Sequence, residues 1–115
     1  MSDWQAVFQR EIQQAETARS QANEGKARVC ARRAAGVVIG EYLARQGEDP
    51  PASAYTRLQA LAGRPEATPA QRAACERLLL RITPEHELPI PADLIADARA
   101  LAHSLLGTSG ETPHG

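Results

Sequence analysis

The stretch from Ala27 to Ala44, ARVCARRAAGVVIGEYLA, limits what this chain can fold into more than any other. On a helical wheel Val29, Gly36, Gly40 and Leu43 share one side, with Cys30, Val37 and Ala44 beside them. Ala31, Ala35, Val38 and Tyr42 fill much of the opposite side, and from Ala34 onward only Glu41 interrupts the apolar surface. A helix that is apolar all round belongs in the middle of a bundle, touched by neighbours on several faces. Gly36 and Gly40 lie one turn apart and are the expected helix-packing residues, where another helix approaches closely. Glycine costs a helix about 1 kcal/mol relative to alanine, so packing has to supply the compensation.

The flanking sequence supplies the neighbours. Ser2 and Gln5 have capping-box spacing, and Trp4, Phe8, Ile12, Ala15, Arg19 and Ala22 follow at steps of three and four, with Val7 alongside. This predicts an amphipathic helix of about twenty residues, ended by the break at Asn23-Glu24-Gly25 and folded back on the next as an antiparallel hairpin. The second helix is expected from about Gly25 to Gln46, with Gly47 as a left-handed cap. Ser53 starts a short third helix, burying Tyr55, Leu58, Leu61 and Ala62 and ending at Gly63. Thr68-Pro69-Ala70-Gln71 repeats the start signal for a fourth, with Ala74, Cys75, Leu78, Leu79 and Ile82 as its apolar stripe and Pro84 as its end. Thr83 to Pro91 holds three prolines in nine residues and reads as an extended connection. A last helix from about Ala92 places Leu94, Ala98, Leu101 and Leu105 on one face and closes at Gly107. The expected architecture is all-α: an antiparallel up-and-down bundle of four to five helices. Residues 1–107 form one domain, and 108–115 are expected to be a flexible tail.

At 115 residues the chain can bury a core without disulfides or metal. A net charge of −1 excludes a global field drawing it onto nucleic acid or an anionic membrane. Cys30 and Cys75 sit inside helical patterns with no CxxC and no matching histidine spacing, so buried thiols are expected rather than a disulfide or a zinc site. Met1 to Arg10 lacks a basic start followed by an apolar run, and no apolar run nears the roughly 20 residues needed to span a bilayer. The expectation is a soluble cytoplasmic protein with no membrane partner and no cofactor.

Four basic side chains, Lys26, Arg28, Arg32 and Arg33, crowd the start of the second helix. Basic residues early in a helix oppose its macrodipole. Arg28 and Arg32, one turn apart, are therefore candidates for gripping a phosphate or carboxylate, as in an anion- or nucleotide-binding site. The plainer alternative pairs the cluster with Glu24, Glu41, Glu11 or Glu16. Arg33, nearer the apolar face, is expected to need a buried or interfacial acidic partner. His86 between Glu85 and Glu87 reads as a surface histidine, because adjacent residues of an extended chain point apart. Asp93 and Asp97 read as acidic residues favoured in a helix's first turn. No metal site is expected, and aromatics are too few to stack on single-stranded nucleic acid.

Glu24 to Gly47, EGKARVCARRAAGVVIGEYLARQG, resembles the signature helix of small prokaryotic helical proteins related to the HEPN (higher eukaryote and prokaryote nucleotide-binding) superfamily. The resemblance extends to a preceding long helix, a short helix pair and a final helix. It implies a four- or five-helix bundle, usually dimeric, in a family whose members include RNases and partners of nucleotidyltransferases in toxin–antitoxin pairs. The family's RNase motif is an Arg followed by a polar residue, with a His about five positions on. Arg81 and His86 have that spacing, but Ile82 stands in the polar position and Pro84 interrupts; Arg99 and His103 are four apart, with Ala100 in the polar position. The first reading is a non-catalytic binding or interaction module acting as a homodimer, with a protein partner or RNA as further candidates. The alternative is a metal-independent RNase in which His86 acts as acid or base and Arg81 steadies the phosphate.

Overall fold

A computed structural model of the chain describes residues 3–80 and 93–107. Among these residues there are five α-helices and no strand: α1 (Trp4–Ser20), α2 (Glu24–Arg45), α3 (Ala54–Ala62), α4 (Pro69–Leu79) and α5 (Leu94–Leu106). The fold is all-helical, and α2 is its hub, packed against α1, α3, α4 and α5. Ala31, Ala34, Ala35, Val38, Ile39 and Leu43 of α2 are fully buried among Phe8, Ile12, Leu58, Leu61, Cys75, Leu78 and Leu101. Because the α2 side chains are mostly small, its neighbours can press close on several sides. No helix among the described residues is long and apolar enough to cross a membrane.

The helix starts and stops follow local chemistry. Thr68 closes a complete capping box, its hydroxyl accepting from the Gln71 N–H at 3.0 Å while the Gln71 carboxamide accepts from the Thr68 N–H at 2.9 Å. Ser53, Asn23 and Asp93 cap α3, α2 and α5 through their side chains. Gly47 (φ 79°) and Gly107 (φ 75°) take the left-handed conformation just past α2 and α5.

Several details depart from expectation. Ser2 lies outside the described residues, and Asp3 holds the cap position of α1 without a side-chain bond. The α1 stripe runs through Trp4, Phe8, Ile12, Ala15 and Ala18. Arg19, placed in that stripe by spacing, turns out to solvent and pairs with Asp93 (3.0 Å) and Glu24 (3.8 Å). Ala22 lies beyond the helix at φ 58° and closes a Schellman turn, Ala22 N–H to Arg19 O at 3.0 Å and Asn23 N–H to Ala18 O at 2.8 Å. Tyr55, expected in the core, is 40 % exposed. Helix α4 stops at Leu79, ahead of Pro84, with Leu80 already extended. The Pro-rich connection Thr83 to Pro91 and the tail 108–115 lie outside the described residues.

Candidate interaction surface

The basic cluster divides in two. Arg28 donates from Nη1 to the Leu80 carbonyl at 2.8 Å; Arg32 donates from Nε to the Leu78 carbonyl at 2.9 Å and from Nη2 to Leu80 at 3.3 Å. These carbonyls end α4, where helix geometry leaves acceptors without an intrahelical donor and where the dipole favours a cation. Burial pulls the Arg28 guanidinium below its ordinary value. Both arginines thus bind α2 to the end of α4, a role the sequence hid because the acceptors lie 46 to 52 residues away. Lys26 and Arg33 instead face solvent.

Gly36 and Gly40 are buried, and within the chain each is approached by a residue of α3. A Cβ built on Gly36 would lie 2.7 Å from the Ala54 Cβ and 3.0 Å from its Cα, so the first residue of α3 rests on bare α2 backbone. A Cβ on Gly40 would lie 2.8 Å from the Cζ of Arg57. Arg57 spans the junction, donating from Nη1 to the Gly36 carbonyl at 3.0 Å and from Nε to the Pro51 carbonyl at 2.6 Å. One side chain thereby fixes α3, the preceding loop and the glycine face of α2 together.

The apolar circumference of α2 is not buried all round. Lys26, Val29, Arg33 and Ala44 face solvent, Val37 is half-covered, and together they form a stripe on the side away from the core. Val29 is 38 % exposed. Beside the far end of the stripe lies a shallow cavity of about 380 Å³, lined by Trp4, Val7, Val37, Gly40, Ala44 and Pro50 together with Asp3, Glu41 and Arg57. The stripe is basic at its start (Lys26, Arg33) and of mixed charge at its far end, where Glu41 is bonded to Arg45 at 2.9 Å and Asp3 and Arg57 line the cavity. It is apolar between.

Elsewhere several charged side chains are engaged with one another. Arg77 forks onto Asp97 through two bonds of 2.9 Å, a pairing that raises the affinity of the guanidinium for its proton. Asp97 is therefore more than a first-turn carboxylate: it lies between Leu94 and Leu101 on the buried face of α5. A cleft of about 550 Å³ between α1 and α5 is crossed by Arg99–Glu16 (2.8 Å) and Arg19–Asp93. Arg64 pairs with Glu48 at 2.6 Å and with Glu66, holding both carboxyls below the usual range. Cys30 and Cys75 are buried free thiols, and burial pushes Cys75 up to about 12. No cluster among the described residues could hold a metal ion. Arg81 and His86 lie outside the described residues; Arg99 is paired with Glu16, and His103 is exposed on α5. Comparison with protein-family models, curated proteins and solved structures finds no match to this chain.

Proposed function

We propose that this protein is a non-catalytic interaction module that works as a homodimer through the outward stripe of α2. The observation that carries the reading is the exposure of Val29, half-covered Val37 and Ala44 on a helix whose opposite side is the core of the molecule. Surface hydrophobics scattered singly need no explanation; here they are aligned on one rigid helix and continue into the cavity beside Trp4, Val7 and Pro50. The HEPN-like relationship, and with it a link to nucleotidyltransferases or toxin–antitoxin pairs, belongs to this proposal. So does an antiparallel up-and-down helix order. Its support is the pairing of Trp4 and Val7 with Val37 and Ala44 around one cavity, of Gln14 with Cys30 at 3.9 Å, and of Arg19 with Glu24.

Sedimentation velocity over a range of concentrations tests the reading. A mass approaching twice 12.4 kDa, falling towards 12.4 kDa on dilution, is expected. A single 12.4 kDa species at every concentration would remove the homodimer.

A further inference from the structure

We propose that the groove between α1 and the start of α2 binds a short chain of phosphoryl groups, gripped by Arg10 at one end and by Lys26 beside the other. This goes beyond the homodimer reading and does not rest on it. The cavity measures about 260 Å³ and its lining is almost wholly polar: Arg10, Gln13, Gln14, Thr17, Gln21 and Lys26. It belongs to the flank of α1 and meets α2 only at Lys26. Gln21 stands eleven residues after Arg10, so the groove runs about 16 Å along the helix. An anion with one phosphoryl group reaches one cation, whereas several in a row can meet both. Between the cations, carboxamides and the Thr17 hydroxyl supply neutral donors to phosphate oxygens. Gln14 accepts from the Cys30 thiol at 3.9 Å through its Oε1, which leaves its amino group to donate. No aromatic ring lines the groove, so the phosphate chain and not a base is what it can recognise.

The cations at this groove differ from the others in the molecule. Arg19, Arg45, Arg64, Arg77 and Arg99 donate to carboxylates. Arg28, Arg32, Arg57 and Arg72 donate to backbone carbonyls. Arg10, Lys26 and Arg33 are exposed, and their side chains have no such acceptor among the described residues. A single solvated cation needs no explanation; these three are neighbours. Arg10 and Lys26 line one cavity, and Lys26 and Arg33 both act on the Cys30 thiol, which meets Gln14 in the cavity wall. The nearby carboxylates do not cancel them. Glu11 also acts on Cys30, but its Oε1 is buried, and Glu24 lies against Arg19 at 3.8 Å. Neither lines the groove. The cleft beside α5 carries Glu16 and Asp93, and the cavity beside Pro50 carries Asp3 and Glu41. The groove at Arg10 holds cations without a carboxylate.

Titration calorimetry of the full chain with sodium tripolyphosphate, at low ionic strength and without divalent metal, tests the site. Tripolyphosphate should bind about tenfold more tightly than inorganic phosphate, which meets one cation at a time. Arg10→Gln/Lys26→Gln should bind it about tenfold more weakly than wild type. Both side chains are exposed and unpaired, so this variant keeps its fold, which circular dichroism checks. Arg45→Gln/Arg99→Gln loses the same net charge away from the groove and should bind like wild type. Raising the salt concentration should weaken wild-type binding and leave the residual binding of Arg10→Gln/Lys26→Gln less affected. Adenosine triphosphate binding more tightly than tripolyphosphate assigns a nucleotide as the source of the chain; equal or weaker binding assigns the free chain. No binding at millimolar tripolyphosphate, or equal losses in the two double variants, would overturn the proposal. The oligomeric state of the wild type, read by sedimentation, decides the homodimer separately.

Discussion

Substituting alanine at Gly36 and at Gly25, two glycines of the same helix, should move stability in opposite directions. Both substitutions gain the helix preference of alanine over glycine, at most about 1 kcal/mol. At Gly25 the new Cβ meets only the Asn23 Oδ1, at 3.9 Å, so the gain is kept. At Gly36 it would lie 2.7 Å from the Ala54 Cβ and 3.0 Å from the Ala54 backbone. Helix α3 cannot simply retreat, because Ser53 caps it and Arg57 ties it to the Gly36 and Pro51 carbonyls. Overpacking of this kind typically costs about 1–3 kcal/mol. The preference gain is smaller for Gly25 in the first turn than for Gly36 in the helix interior, so their difference approaches the packing term from below. At about 4 °C per kcal/mol for a domain of this size, Gly36→Ala should melt roughly 4–12 °C below Gly25→Ala by circular dichroism. Adding Ala54→Gly to Gly36→Ala removes the opposing methyl and should recover part of the loss. Equal stabilisation by both substitutions would refute the close approach of α3 to α2.

Other substitutions probe separate parts of the structure. Ala22→Gly relieves a left-handed alanine and should stabilise by about 1 kcal/mol, read as a higher denaturant midpoint; an unchanged midpoint counts against the Schellman turn. Arg32→Ala strips donors from the end of α4 and should cost about 1–2 kcal/mol in urea unfolding. The Asp93 carboxyl is held below its ordinary value by the Ala96 N–H and by Arg19. That contribution is present above about pH 4 and is lost as pH falls through the lowered native value. Asp93→Ala should flatten the acid limb of the stability profile. With Cys75 pushed up to about 12 and Cys30 raised by burial, the native protein should resist thiol reagents that label both cysteines after unfolding. Incubation with total RNA should leave it intact, and His86→Ala should behave identically; cleavage lost in that variant would replace the interaction reading with a nuclease.

Most helix boundaries were legible because they are set within a few residues. Thr68 with Gln71, Ser53, Gly47 and Gly107 each act on backbone groups nearby, and the sequence displays them directly. The core of α2 was legible for a similar reason, since only small side chains permit neighbours on several faces. The departures arise where a distant residue decides. Arg28 and Arg32 looked like an anion grip, yet they donate to carbonyls of Leu78 and Leu80. Asp97 carried a usable signal, sitting three residues after Leu94 and four before Leu101, but its partner Arg77 is on another helix. Tyr55 follows the spacing of a buried residue at the start of α3, where nothing in the local pattern tells which flank meets α2. The outward stripe was hidden by its own chemistry: Val29, Val37 and Ala44 are as apolar as the residues that α2 buries.

The most direct test of that stripe as a dimer surface is oxidation of Val37→Cys. The two native cysteines are buried, and Val37 lies midway along the stripe, where a symmetric contact between two copies would bring its two side chains within disulfide reach. Under mild oxidation Val37→Cys should run at twice the monomer mass on a non-reducing gel and return to monomer with reductant, while Gln13→Cys, exposed on α1, does not cross-link. A Val37→Cys variant that stays monomeric, or cross-links no faster than Gln13→Cys, would contradict the account.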